Sequence, residues 1–81
     1  MDDDYNRMRW ASRRGMLELD LILGPFVEAH FQSLAAADQA RYRELMACED
    51  QQLFGWFLRR EQPDDPELGA IVRLILDAHG S

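Results

Sequence analysis

Thiol and imidazole side chains are sparse in this sequence of 81 residues, one cysteine, Cys48, and two histidines, His30 and His79, while the fifteen carboxylates read as a solvated face. A nucleophilic thiol needs a neighbouring cation or base to hold it as thiolate. No base stands beside Cys48, which reads as a small inert residue near a helix end. His30 and His79 lie far apart, lack the paired spacing of a zinc site and have no cysteine pair near them. They read as ordinary histidines. The five glycines are isolated, so neither a phosphate-cradling loop nor a dinucleotide fingerprint is present. The densest chemistry is in Arg13-Arg14-Gly15-Met16-Leu17-Glu18. Arginine supplies a directed fork of donors and glutamate an acceptor. The glycine between them tolerates backbone angles that other residues avoid and leaves no side chain to hold a partner off. That combination suits a contact surface at a tight inter-helix junction better than it suits a core.

Composition sets the frame for this cluster. A chain of this length makes one domain and buries only roughly 60–65% of its unfolded surface, which leaves a thin core and no room for a large enzyme cleft. Hydrophobic residues at 47% and charged residues at 30% indicate a globular chain rather than a disordered one. The longest apolar run, Leu21 to Val27, is interrupted by Gly24 and Pro25. It falls far short of the roughly 20 residues of a membrane span. The acidic start Met1-Asp2-Asp3-Asp4 is the reverse of a secretory or transit sequence. A lone cysteine agrees with a reducing compartment. The expectation is a cytoplasmic protein whose residues 1–5 form a flexible acidic tail. Net charge is −6, and all nine basic residues are arginines. An acidic balance disfavours nucleic acid, because neutralising phosphates with cations supplies most of that affinity. Arg7, Arg9, Arg13 and Arg14 nevertheless crowd one end, whereas Asp64, Asp65 and Glu67 crowd a late loop.

The elements that must position these residues are helical throughout. No period-two alternation bounded by turn residues occurs, and the apolar spacing predicts an all-α, single-domain bundle of five helices. Helix 1 is expected over about Asp4 to Arg14, stopping at Gly15, with Trp10, Arg14 and Arg7 on one side and Met8 and Ser12 opposite. Helix 2 is expected from about Met16 to Gln32, with the core stripe Leu19, Ile22, Leu23, Phe26, Val27 and His30 and a kink at Pro25. Helix 3 covers about Ala36 to Cys48, with Tyr42, Leu45 and Met46 inward. Helix 4 starts near Glu49 or Asp50, either of which can accept first-turn amides, and carries Leu53, Phe54, Trp56, Phe57 and Leu58 to Arg60. Asp65-Pro66-Glu67 reads as an N-cap, a proline at the first helical position and an acid in the first turn, opening helix 5 to Gly80. Two points stay open. Trp10 is either the anchor of helix 1 or an exposed contact residue, of a type that often dominates interface energetics. Leu17 and Leu21 point away from the main stripe of helix 2 and either pack under a neighbour or extend a docking patch.

Taken together, Arg9-Trp10, Arg13 to Asp20, Pro25-Phe26 and Asp50-Gln51-Gln52-Leu53-Phe54-Gly55-Trp56 resemble the small flavinylation factors that help assemble succinate dehydrogenase. The Arg-Gly-x-x-Glu core of that family matches Arg14, Gly15 and Glu18, and its Asp-x-x-Leu-Phe-x-Trp pattern matches Asp50, Leu53, Phe54 and Trp56. The likeness runs in order from about Arg7 to Leu76. Gly24 and Gly55 depart from it, standing where bulkier helix residues are usual, and Ala35 replaces a capping serine. The resemblance implies a five-helix assembly chaperone, not an enzyme, that binds the flavoprotein subunit of succinate dehydrogenase, and often that of fumarate reductase. It would promote covalent attachment of FAD to a histidine of that subunit. FAD then belongs to the client and no cofactor is held stably by the factor, which is expected to be a monomer when free. On this reading Gly15 permits close approach, Arg14 and Glu18 make charge-assisted bonds to the client, and Trp10 with Arg9 extends the contact. Asp50, Leu53, Phe54 and Trp56 are architectural, Asp50 capping helix 4. The rival reading is an antitoxin-type regulatory protein that binds a small toxin, a label also given to members of this family. An enzyme using Glu18 ranks below both, since no second catalytic group accompanies it.

Overall fold

The helical segments expected from periodicity are the five α-helices of the computed structural model, which describes residues 3–80: α1 (Asp3–Ala11), α2 (Leu17–His30), α3 (Ala36–Met46), α4 (Asp50–Phe57) and α5 (Pro66–Gly80). A short 3-10 turn, Phe31–Ser33, follows α2. No strand occurs among the described residues. The Cα radius of gyration is 11.5 Å, close to the roughly 12 Å expected of a compact chain of this size.

The acidic start does not form a loose tail as far as residue 5. It is helical from Asp3, because Asp3 and Asp4 stand at the positive end of the helix dipole. Asp4 also pairs with Arg43 of α3, and Tyr5 packs partly buried against the core. Residues 1 and 2 lie outside the described residues. α1 stops at Ala11, short of the expected Arg14. Ser12 is fully buried, its amide and hydroxyl both donate to the Met8 carbonyl at 3.0 and 2.7 Å, and Tyr42 of α3 bonds the same hydroxyl. Since the Ser12 proton goes to Met8, the Tyr42 hydroxyl is the donor to Ser12. Met8 and Ser12 therefore occupy the inner side of α1, as the helical spacing predicts.

α2 turns Leu19, Ile22, Leu23, Phe26 and Val27 inward. His30, expected on that stripe, is exposed at the helix end, its ring tilted beside Phe26 with centroids 5.3 Å apart. Pro25 lies within α2 on the solvent side. The Leu21 carbonyl that loses its helical donor there belongs to an exposed residue that water can reach. α3 ends two residues earlier than expected, its last carbonyls taken by the Ala47 and Cys48 amides. α4 buries Leu53, Trp56 and Phe57. It ends at Phe57 rather than Arg60, since Arg59 adopts a left-handed conformation (φ 61°). The Arg59 and Arg60 amides turn back to the carbonyls of Trp56 and Gly55, the paired bonds of a Schellman stop. The opening of α5 follows its local chemistry: Pro66 is its first residue, and the Asp65 carboxylate accepts the Glu67 amide at 2.9 Å.

α5 lies against α2, α3 and α4, and α1 closes over α2 and α3. At the centre Tyr42 stacks on Phe26 (5.8 Å between centroids) and meets the edge of Phe31 (5.6 Å). Such aromatic pairs add about 0.5–1.5 kcal/mol each beyond their buried area.

Candidate functional site

The junction between α1 and α2 is built around Gly15, whose φ of +83° lies in the left-handed region. An L-residue forced into that conformation costs roughly 1–2 kcal/mol. A Cβ at this position would meet no atom within 4 Å, so the glycine answers to backbone angle and not to crowding within the molecule. Its surface stays bare to anything that approaches. Asp20, one turn into α2, fixes the junction: its carboxylate accepts the Arg14 amide at 2.9 Å, and its own amide reaches back to the Met16 carbonyl at 2.9 Å.

Arg14 sits beneath this turn with only 14% of its side chain exposed. Nε donates to Asp50 at 2.7 Å, Nη1 to the carbonyls of Ala11 and Met46 at 2.9 Å, and Nη2 to the Cys48 carbonyl at 2.7 Å. Four of the five N–H donors of the guanidinium are thus used inside the molecule. They bind the end of α1 to the α3–α4 turn. Asp50 is correspondingly the first residue of α4 and the acceptor of Arg14. The cap of α4 is Glu49, in a capping box whose Gln52 side chain accepts the Glu49 amide at 3.0 Å. Asp50 therefore does not cap helix 4, because its carboxylate is drawn to the guanidinium.

The other predicted contact residues face outward. Trp10 is 72% exposed, Leu17 69% and Leu21 58%. The open alternatives for these three residues resolve as exposure. Arg13 covers the Trp10 ring with its guanidinium 5.6 Å from the centroid, a cation–π contact that holds the indole without burying it. Arg9 lies 5.8 Å from the Tyr5 ring centroid and pairs loosely with Glu28 at 3.7 Å. The Glu18 side chain is exposed and makes no hydrogen bond or ion pair among the described residues. The structure thus brings Arg9, Trp10, Gly15 and Glu18 to the surface around one junction and puts Arg14 underneath it. Leu53 and Trp56 are buried and Phe54 is half-buried, with Arg60 5.7 Å from the Phe54 ring centroid.

Asp20 and the Ser12–Tyr42 bond have no counterpart in the sequence-based site. The available signal for Asp20 was an acid in the first turn after a glycine junction. Ser12 showed only its place on the Met8 side of α1.

No group of three or more His, Cys, Asp or Glu side chains able to hold a metal occurs among the described residues. Burial pushes the Cys48 thiol above its ordinary value, only partly offset by Arg14, which keeps it protonated and poorly nucleophilic near neutrality. The arrangement leaves apolar and charged side chains exposed around a glycine turn.

Residues 6–79 match the family model described as flavinator of succinate dehydrogenase. The chain is 53% identical over 76 residues to the FAD assembly factor SdhE of Pseudomonas aeruginosa, covering 94% of this chain and 90% of that protein. It is 48% identical over 66 residues to the protein of the same name from Shewanella oneidensis, covering 82% and 80%. The relative from Idiomarina loihiensis, also named FAD assembly factor SdhE, is 42% identical over 73 residues, covering 90% and 81%. With nearly its whole length matched, the chain belongs to the family of succinate dehydrogenase flavinators.

Proposed function

We propose that this chain is an assembly factor that binds the flavoprotein subunit of succinate dehydrogenase and promotes covalent attachment of FAD to it. The observation that carries the reading is the Gly15 junction. It is preorganised by Arg14 and Asp20 from within, while around it Leu17 and Glu18 are exposed and Trp10 is exposed with only Arg13 over its ring. A rigid face of this kind binds without a large ordering penalty. Once bound, the factor accelerates a reaction that takes place in its client by holding flavin and acceptor side chain in register, since positioning alone contributes several kcal/mol to such steps. No chemistry is asked of the factor, which acts as a chaperone and not an enzyme; FAD stays with the client.

On the same reading the free protein is a monomer, works in the cytoplasm, and also accepts the flavoprotein of fumarate reductase. The absence, among the described residues, of a helix long and apolar enough to cross a membrane is compatible with that location. Glu18 bonds client donors, and Gly15 lets client backbone approach.

The test reads covalent flavin as in-gel fluorescence of the denatured flavoprotein from cells with the factor intact, deleted, or carrying Gly15→Arg. Loss of fluorescence in both altered strains, with client protein still present and the variant still helical, is the expected result. Unchanged fluorescence in the deletion strain would rule out flavinylation as its required function.

A further inference from the structure

Two imidazoles that the sequence keeps far apart come together at one end of the bundle. His30 ends α2 and His79 stands in the last turn of α5, and both line one hollow of about 220 Å³ between those helices. The rest of its lining is apolar, with Ile22, Pro25, Phe26, Ala29 and Ala78 and neither an arginine nor a carboxylate. Neither imidazole makes a hydrogen bond or ion pair among the described residues. A neutral imidazole carries a lone pair on one ring nitrogen, and here that lone pair has nothing to accept from. The His30 ring lies beside Phe26, centroids 5.3 Å apart, which keeps it over the hollow. Both histidines sit at the carboxyl ends of their helices, where the backbone dipoles favour positive charge, in a chain whose net charge is −6. A water takes about 30 Å³ in the liquid, so the hollow has room for a cation and several of its waters.

We infer that His30 and His79 together bind one divalent transition-metal ion of the zinc, nickel and copper class, water filling the remaining coordination positions. Imidazole is a ligand that these ions share, whereas magnesium and calcium take oxygen. Two side-chain ligands make an open, exchangeable site and not the closed four-ligand site of a structural zinc. A bound ion ties the end of α5 to the end of α2. The 14 residues of α2, about 20 Å at its helical rise, separate this site from the Gly15 junction. It therefore shares no residue with the proposed docking face and stands or falls apart from the flavinylation reading.

The experiment titrates zinc chloride into the full chain, free of any added histidines, followed by calorimetry, by NMR of the imidazole nitrogens and by thermal unfolding. The expected result is one ion per chain, joint movement of both imidazole signals, and a Tm that rises with zinc because the ion binds the folded state. The chain has only two histidines, so His30→Ala and His79→Ala assign the two signals outright. Both residues are exposed, and each variant keeps the helical signal and the zinc-free Tm of the wild type. Each loses the one-to-one binding and the zinc-dependent rise in Tm. Magnesium chloride produces neither effect in any of the chains. Absence of binding at millimolar zinc overturns the site. Binding retained in either variant also overturns it, since the ion would then sit on carboxylates or on Cys48, and so does movement of one imidazole signal alone.

Discussion

Arg14 and Glu18, four residues apart along the motif, divide its work between the inside and the outside of the molecule. Arg14 is a strut: replacing it with Met strands the Met46 and Cys48 carbonyls and leaves Asp50 unpaired. Breaking a partly buried set of charge-assisted bonds of this kind removes roughly 2–4 kcal/mol of unfolding free energy. Glu18→Ala, by contrast, touches nothing inside and changes stability by less than about 0.5 kcal/mol, while weakening client binding. Urea unfolding of the two variants, paired with client titration, checks both halves. A stable Arg14→Met would contradict the strut. The sequence made Gly15 legible, since residue type alone signals a left-handed turn. It could not assign Arg14, because a fork of donors says nothing about which acceptors will meet it. Three of the four acceptors come from a turn more than thirty residues further on.

At the scale of elements, the sequence specified what local chemistry specifies. The five helices, their inward faces and the Asp65-Pro66 start of α5 follow from apolar spacing and cap residues. The ends of α1, α3 and α4 were less legible, because they are set by contacts or backbone states without a compositional mark. α1 ends where buried Ser12 meets Tyr42, and α4 ends on an arginine where glycine is the usual choice. That last feature carries a prediction. Arg59 holds φ at 61° with its side chain exposed and unpaired among the described residues. Arg59→Gly relieves the left-handed penalty and is expected to stabilise the chain by roughly 0.5–1 kcal/mol, after the larger unfolded-state entropy of glycine is subtracted. Chemical denaturation measures the change, and a destabilised variant would mean that the arginine side chain contributes more at the Schellman stop than the strain removes.

For the whole molecule, the buried Tyr42 ties stability to alkaline pH. Burial pushes its phenol up to about 12, the hydrogen bond with Ser12 and the charge of Arg14 pulling only partly the other way. A group whose folded pKa is raised contributes stability that is complete below the unfolded value near 10 and is lost as pH rises through about 12. The loss amounts to about 2–3 kcal/mol across that window. The chain contains no lysine, so few other groups titrate there to mask it. Tyr42→Phe is expected to be about 1 kcal/mol less stable at neutral pH, having lost a buried hydrogen bond. Its stability should fall less steeply above pH 10, and an unchanged slope in pH-dependent unfolding would argue against the assignment. The two tryptophans divide the molecule in another way. Trp56 is 8% exposed in the core and Trp10 is 72% exposed on the proposed docking face. Their emission therefore separates two events without any added label. The blue-shifted indole reports whether the bundle is intact, and the solvated, quencher-accessible one reports whether a client has arrived.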